Sequence, residues 1–239
     1  MDPRLLLVAA VTISTTSCSV LTVAPKSMPR ASVGSRGGDS DSSSRLTAPS
    51  AGPSDPRARG LIVVPGLGWS EAGGLSGIVP AAGTCHFRHA SDGEPLPDPR
   101  CTPGAITDAV TQANLRETIC RRGGYTASVR PPLDLTEKVK RALMAAYGVG
   151  DRPMSSYEMD HETPIEVGGS PGSLLNLWPE PNDDRRLFGR NQYVNNDKDH
   201  VESTYGRGPV CAGTVTLEAV QKAFALDWTT VPALPGRRM

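Results

Sequence analysis

The sequence has few aromatic residues and no net charge. Only 5% of its 239 residues are aromatic, and 25 acidic side chains balance 25 lysines and arginines. A formally neutral protein produces no strong overall field, so any site for a polyanion has to be local. With 25 glycines and 22 prolines added, this composition predicts one modest core and a substantial length of chain outside it.

Two sequence patterns that mark particular site chemistries are absent. No pair of cysteines has the C-x-x-C spacing that is typical of structural zinc sites. No serine stands in the pattern of a nucleophile elbow. A zinc module and a serine hydrolase are therefore both disfavoured.

The N-terminus has the pattern of an export signal. Arg4 supplies positive charge, residues 5–13 supply a short apolar run, and small polar residues follow up to Cys18. This run is too short to span a bilayer as a mature helix. The residues before Cys18, Thr15-Thr16-Ser17, resemble a bacterial lipobox and predict lipidation of Cys18 at the cell surface. Cleavage after residues 22–24, which would give a secreted protein, is the alternative.

The chain after the signal divides into three parts. Residues 19–60 are dominated by Ser, Pro, Gly, Arg and Asp, so we expect a disordered linker. Residues 61–80 are more apolar but contain many glycines, and they fit either a short edge strand or more linker. Residues 81–235 are expected to form the folded domain.

Four cysteines remain once Cys18 is assigned to the signal. An even number of cysteines in an exported chain indicates disulfides. Pairing neighbours in the sequence predicts the bonds Cys85–Cys101 and Cys120–Cys211. A metal site is the alternative, and the absence of C-x-x-C makes it the weaker one.

The order of elements is predicted coarsely from capping and periodicity. Thr136 is expected to cap a helix that ends at Tyr147, and Thr216 to cap the last helix. Between them, residues 157–166 are expected to form two extended pieces around Pro164, closed by Gly168-Gly169. Residues 191–205 have helical composition.

One ordered set of motifs is specific. Asp160-His161-x-x-Pro164, Gly168-Gly169, Asn176-Leu177 and Asn195-x-x-Lys198 follow one another in the order of the HNH nuclease pattern. Over roughly residues 102–228 the chain resembles a group of exported bacterial HNH-type proteins. The resemblance implies an α+β fold, with a small ββα-metal core of a hairpin and a helix, flanking helices and disulfides.

The resemblance also implies a role for each site residue. Phosphodiester hydrolysis needs an activated water and a counter-charge for the transition state. His161 is the expected general base, and Asn176 is expected to orient its imidazole or to hold the loop that carries it. The expected ligands of one divalent ion are Asp160, Asn195 and Asp199, and the expected phosphate contacts are Lys198 and Arg130. Neighbouring side chains on a regular strand face opposite sides, so Asp160 and His161 can share a site only at a strand end.

Asn195 stands where typical HNH sites have a second histidine. An amide oxygen binds hard cations but is a poor zinc ligand, which favours Mg²⁺ or Mn²⁺, or an inactive site. Two hypotheses follow: an exported, metal-dependent endonuclease that binds nucleic acid with little sequence specificity, and a catalytically inactive binding or structural module of the cell surface on the same scaffold. The choice between DNA and RNA stays open.

Overall fold

The computed structural model describes residues 60–182 and 196–234. They belong to the second of the two units into which the chain divides, Ala51–Met239. The predicted export signal with Cys18, residues 19–59 of the predicted linker, and Asn195 lie outside the described residues.

The described part contains eight short strands, paired into four two-stranded sheets. One pair is parallel, β1 (Val63–Val64) with β6 (Ile106–Thr107). Three pairs are antiparallel: β2 (Trp69–Ser70) with β3 (Gly74–Leu75), β4 (Arg88–His89) with β5 (Pro95–Leu96), and β7 (Tyr157–His161) with β8 (Leu177–Pro181). The β7–β8 hairpin carries the predicted site.

Helices complete a mixed α and β fold, as expected. They are α1 (Tyr125–Val129), α2 (Leu133–Ala146), α3 (Asn196–Val201), α4 (Arg207–Cys211) and α5 (Leu217–Leu226), with 3₁₀ turns at Met154–Ser156, Ile165–Val167 and Trp228–Ala233. In the described ranges, none of these helices combines the length and the apolar character needed to cross a bilayer.

Two predicted elements are wrong in their positions. Helix α2 begins at Leu133, after Pro132, and the hydroxyl of Thr136 donates to the Leu133 carbonyl from within the helix instead of capping it. The partner of β7 is β8, whereas Pro164 leads into a 3₁₀ turn. Strand β8 contains Pro179 and Pro181, which have no N–H for a ladder bond. Residues two apart direct their nitrogens to the same side, so both can point away from β7.

Helices α3 and α4 form one continuous helical run through a π-helical segment, Glu202–Gly206. Pro209 accounts for this widening. Proline has no N–H to donate to the carbonyl four residues earlier, and its ring clashes with that carbonyl in a regular α-helix. The extra residue in the π segment relieves the clash and lets the helix continue to Cys211.

Residues 61–80 pack against the domain, which decides between the two alternatives left open for them. The Trp69 indole donates a hydrogen bond to the Val129 carbonyl at 2.8 Å, and the Ser76 amide donates to the Gly172 carbonyl at 3.0 Å. Strand β1 adds a parallel pairing to β6. This segment therefore belongs to the folded domain.

The main core lies between α5 and the 3₁₀ turn Ile165–Val167. Val220 and Phe224 on α5 are fully buried together with Val167 and Val210. Thr216 caps α5 as predicted, since its hydroxyl accepts from the Ala219 amide at 3.2 Å. The 3₁₀ turn Ile165–Val167, which follows β7, is therefore held in place by its packing against α5.

The two disulfides are confirmed with the predicted pairing, Cys85–Cys101 and Cys120–Cys211. The first closes a loop of 16 residues and the second a loop of 91 residues. Disulfides persist in oxidising compartments, so both bonds indicate an extracytoplasmic environment.

Removing each disulfide should destabilise the domain by a different amount. In the chain-entropy model, the Cys85→Ala/Cys101→Ala variant should lose about 3 kcal/mol and the Cys120→Ala/Cys211→Ala variant about 4 to 5 kcal/mol, because the second bond closes the longer loop. Urea unfolding of both double variants measures this difference. Equal losses would contradict the entropic account.

Candidate active site

The β7–β8 hairpin presents two different faces. The register pairs His161 with Leu177, Asp160 with Trp178 and Met159 with Pro179. Because side chains alternate along a strand, His161 lies on the same face as Tyr157 and Met159, and Asp160 lies on the opposite face. The first face lines a cleft, and the second packs against the helix that begins with α3.

His161 lies at the floor of this cleft and is 4% exposed. Its Nε2 is 2.8 Å from the carbonyl oxygen of Pro171. A carbonyl can only accept, so Nε2 carries the hydrogen and Nδ1 is left as the acceptor of a neutral ring. Burial, together with the charge of Arg130, lowers the pKa of His161 to about 4. The imidazole is therefore neutral at physiological pH.

Asn176 fixes the loop that carries the Pro171 carbonyl. Its Oδ1 accepts from the Thr163 amide at 2.8 Å, and its Nδ2 donates to the carbonyls of Thr163 at 2.9 Å and Ser170 at 3.1 Å. The side chain is fully buried, so these three bonds meet no competition from solvent. Asn176 makes no hydrogen bond to the imidazole, and it acts on the ring only through the loop.

The turn before Ser170 requires glycine at two positions. Gly168 has φ of 84°, a backbone conformation that favours glycine. A Cβ added at Gly169 would overlap the carbonyl oxygen of Thr163. Both glycines thus bring residues 163 and 170 close enough for the Asn176 side chain to bridge them.

Lys198 is an internal cation, and this geometry does not support its predicted role as a phosphate contact. Its side chain is 1% exposed. The ammonium donates to Asp160 Oδ2 at 2.7 Å, to Glu202 Oε1 at 2.7 Å and to the His161 carbonyl at 2.9 Å. Three protein acceptors match the three hydrogens of an ammonium, so none is left for a substrate.

Asp160 is committed to the same ion pair. Its Oδ2 also accepts from the Trp178 indole at 3.3 Å, and the carboxylate is hydrogen-bonded to Glu180. Although burial acts to raise the pKa of Asp160, the Lys198 ammonium holds it below its usual value. Asp160 is therefore an ionised partner of Lys198.

The described residues do not fit a divalent ion at Asp160. The carboxylate that would bind the ion already binds the Lys198 ammonium, and within residues 60–182 and 196–234 no three His, Cys, Asp or Glu side chains are grouped to hold a metal. Asn195, the predicted ligand on the helix, lies outside these ranges. The prediction of Asp160 as a metal ligand is not supported by this geometry.

Asp199 on α3 is close enough to Asp160 and Arg130 for both charges to affect its pKa. Burial, with the charge of Asp160 adding to it, raises the pKa of Asp199 to about 6, while Lys198 and Arg130 act in the opposite direction. Asp199 is half-buried and is not brought into a group with His161 and Asp160 that could hold a metal.

Two buried carboxyl groups were not predicted as part of the site. Glu162 and Glu180 are 0% and 1% exposed, and both carboxyl oxygens of Glu162 lack a hydrogen-bond partner. Burial raises the pKa of Glu162 to about 8 and that of Glu180 well above its usual value. Glu162 lies just beyond the end of β7, whereas Glu180 shares a face of the hairpin with Asp160, so strand alternation in β8 could have found Glu180.

The cleft beside His161 has a volume of about 660 Å³. It lies between α2 and β7, and Arg130 and Lys140 line it together with Glu137 and Glu158. Arg130 is exposed and close enough to depress the pKa of His161, so it is the cation that an anion at this histidine would meet. A second cavity of about 610 Å³, at residues 64–77, contains no titratable side chain.

No protein-family model matches the chain, and neither a curated protein nor a solved structure is significantly similar to it. The candidate function rests on the β7–β8 hairpin, on the loop that Asn176 holds and on the cleft beside His161.

Replacing Lys198 should destabilise the fold strongly. The Lys198→Met variant leaves Asp160 buried without its cation, which should cost about 3 to 5 kcal/mol in the free energy of unfolding. Lys138→Met is the matched control, because Lys138 forms an exposed ion pair with Asp134 and should change stability little. Urea unfolding of both variants checks this, and similar small losses would contradict a structural role for Lys198.

Glu162→Gln should flatten the dependence of stability on pH. The pKa of Glu162 is raised in the folded state, so the stability that this group contributes is fully present below about pH 4.5 and is lost as the pH rises to about 8. Glutamine removes this titration, while the groups that act on Glu162, namely Lys198, Asp160, Arg88, Asp227 and Tyr147, remain. The midpoint temperature of thermal unfolding should fall less steeply between pH 5 and pH 8 in the variant than in the wild type.

Proposed function

We propose that this chain is an exported HNH-type nuclease in which His161 activates water for phosphodiester hydrolysis. The observation that carries the proposal is a neutral histidine at the floor of a cleft, with one ring nitrogen bonded to Pro171 and the other available as a base. The hairpin β7–β8 and helix α3 would then correspond to the ββα core of that family.

The base step uses groups that the chain itself supplies. Nδ1 of His161 accepts a proton from the attacking water, and the Nε2–H bond to Pro171 keeps the ring in the required tautomer. Arg130 contributes to the lowered pKa of this histidine through its positive charge. A bound phosphate would pair with Arg130 and weaken that effect, so substrate binding would strengthen the base.

Asn176 supports this reaction as a positioning residue. Its three hydrogen bonds hold the loop that contains Ser170 and Pro171. A displaced Pro171 carbonyl would let the imidazole rotate or change tautomer. The proposal therefore expects catalysis to depend on Asn176 although the residue does not touch the substrate.

The divalent ion remains a separate prediction. Mg²⁺ or Mn²⁺ would supply charge for the transition state and for the departing oxygen. The Asp160 carboxylate already binds Lys198, so the ion would need other ligands. Assays with and without each ion test this part.

A catalytically inactive module is the second candidate. The ion pair between Lys198 and Asp160 favours it, because a lysine ammonium takes the carboxylate that a catalytic metal would need. A binding module of the cell surface would keep the hairpin scaffold and lose the reaction, since a fold by itself does not determine function.

Export is part of the proposal. The two disulfides agree with an oxidising, extracytoplasmic location, and the N-terminal pattern adds either a lipid anchor at Cys18 or a secreted product. Nucleic acid outside the cell would then be the substrate, bound with little sequence specificity.

His161→Gln should abolish cleavage by the full-length oxidised protein. Glutamine can still donate an amide hydrogen to Pro171 but cannot act as a base, so the rate should fall at least about 100-fold. Single-stranded DNA, RNA and supercoiled plasmid would be incubated with EDTA, Mg²⁺, Mn²⁺ or Zn²⁺ in turn. Circular dichroism of each variant checks that the fold is intact.

Two outcomes would go against the proposal. Equal cleavage by the wild type and a folded His161→Gln variant would exclude His161 as the base. A wild type that is folded and inert with every substrate and ion would favour the inactive module.

A further inference from the structure

The walls of the cleft beside His161 have more apolar surface than a phosphate site requires. Tyr157, Met154, Met159 and Leu133 line it, and the Leu133 side chain is 73% exposed at its rim. Methionine adapts its shape to a partner, and aromatic and apolar side chains form stacking platforms for nucleobases. A site for a phosphate alone would have no use for this surface.

The charges of the cleft point to one nucleotide and not to a long phosphate backbone. Arg130, Lys140 and Glu137 line the cleft, whereas strand alternation turns the side chain of the fourth charged lining residue, Glu158, to the face of Asp160. The cleft therefore has about one net positive charge and no continuous row of cations along its length. Lys140 is 11% exposed at its side chain and lies 3.6 Å from Glu137 Oε1, which partly neutralises it. Arg130 beside His161 is left as the local contact for a phosphate.

The size of the cleft fits the same occupant. A volume of about 660 Å³ is in the range of small-molecule pockets and can enclose a nucleobase with its sugar. In a duplex the faces of the bases are covered by their neighbours in the stack, so only an unpaired base can offer its face to the Tyr157 and methionine wall.

We propose that the cleft between α2 and β7 binds one unpaired nucleobase, next to the phosphate that is cleaved at His161, and so selects single-stranded nucleic acid. The inference rests on the proposed function, because it takes the phosphate to lie between Arg130 and His161. It adds a substrate class that neither the sequence motifs nor the comparisons assign.

Binding to matched oligonucleotides tests the inference without cleavage. Full-length His161→Gln protein would be titrated in EDTA with a fluorescent oligothymidylate, with an abasic strand of equal length and charge, and with a duplex. The oligothymidylate should bind about tenfold more tightly than the abasic strand, because a stacked base adds affinity that phosphates cannot. The duplex should bind no better than the abasic strand.

Variants of the cleft separate the base contact from the phosphate contact. Leu133→Ala alters an exposed rim residue and should weaken binding of the oligothymidylate but not of the abasic strand. Tyr157→Ala should do the same, and Tyr157→Phe should retain most of the base-dependent affinity. Arg130→Ala should weaken both single strands by the same factor.

The outcomes distinguish this inference from the proposed nuclease. The base site would be overturned by equal affinity for the two single strands or by binding of neither. It would also be overturned if the duplex bound more tightly than the oligothymidylate. Base-dependent binding in a protein whose wild type never cleaves would retain the base site and reject the nuclease. Cleavage that depends on His161 without base-dependent binding would retain the nuclease and reject the base site.

Discussion

The buried ammonium of Lys198 is the constraint on which the rest of the hairpin depends. Taking an ammonium out of water costs several kcal/mol unless good partners surround it, and Lys198 has Asp160, Glu202 and the His161 carbonyl. These bonds join α3 to β7 and fix the strand end from which His161 projects. Burial raises the pKa values of Glu162, Glu180 and Glu202, which favours their neutral forms and limits the negative charge buried around Lys198.

Strand alternation divides this small hairpin into a structural face and a chemical face. Asp160 faces the buried ions, while His161, one residue later, faces the cleft. The two faces are linked through the backbone, because Lys198 holds the His161 carbonyl. A substitution of Lys198 should therefore shift the His161 imidazole without changing a residue that lines the cleft.

The sequence predicted the features that have local causes. The Thr216 cap and the glycine turn before Ser170 depend on residue type and short spacing, and the first disulfide joins the two cysteines that are nearest in the sequence. The Cys120–Cys211 bond then uses the two cysteines that remain. Strand β8 was missed because its two prolines argue against a strand, although a two-stranded sheet tolerates them at its edge. The role of Lys198 was also missed, since a lysine on a helix is usually solvated and its burial depends on acids that lie far away in the sequence.

The cleft is a better guide to function than the buried ions. An ion cluster stabilises the hairpin whether or not the protein cleaves anything. Stability alone does not explain a buried histidine at position 161. Because its pKa is lowered, the stability that it contributes above about pH 6.5 is lost as the pH falls toward 4. An apolar side chain would fill the same space without that loss. A neutral imidazole, held by a loop that Asn176 fixes and placed beside an exposed arginine, is a local departure from what packing alone favours, and such departures are typical of functional sites.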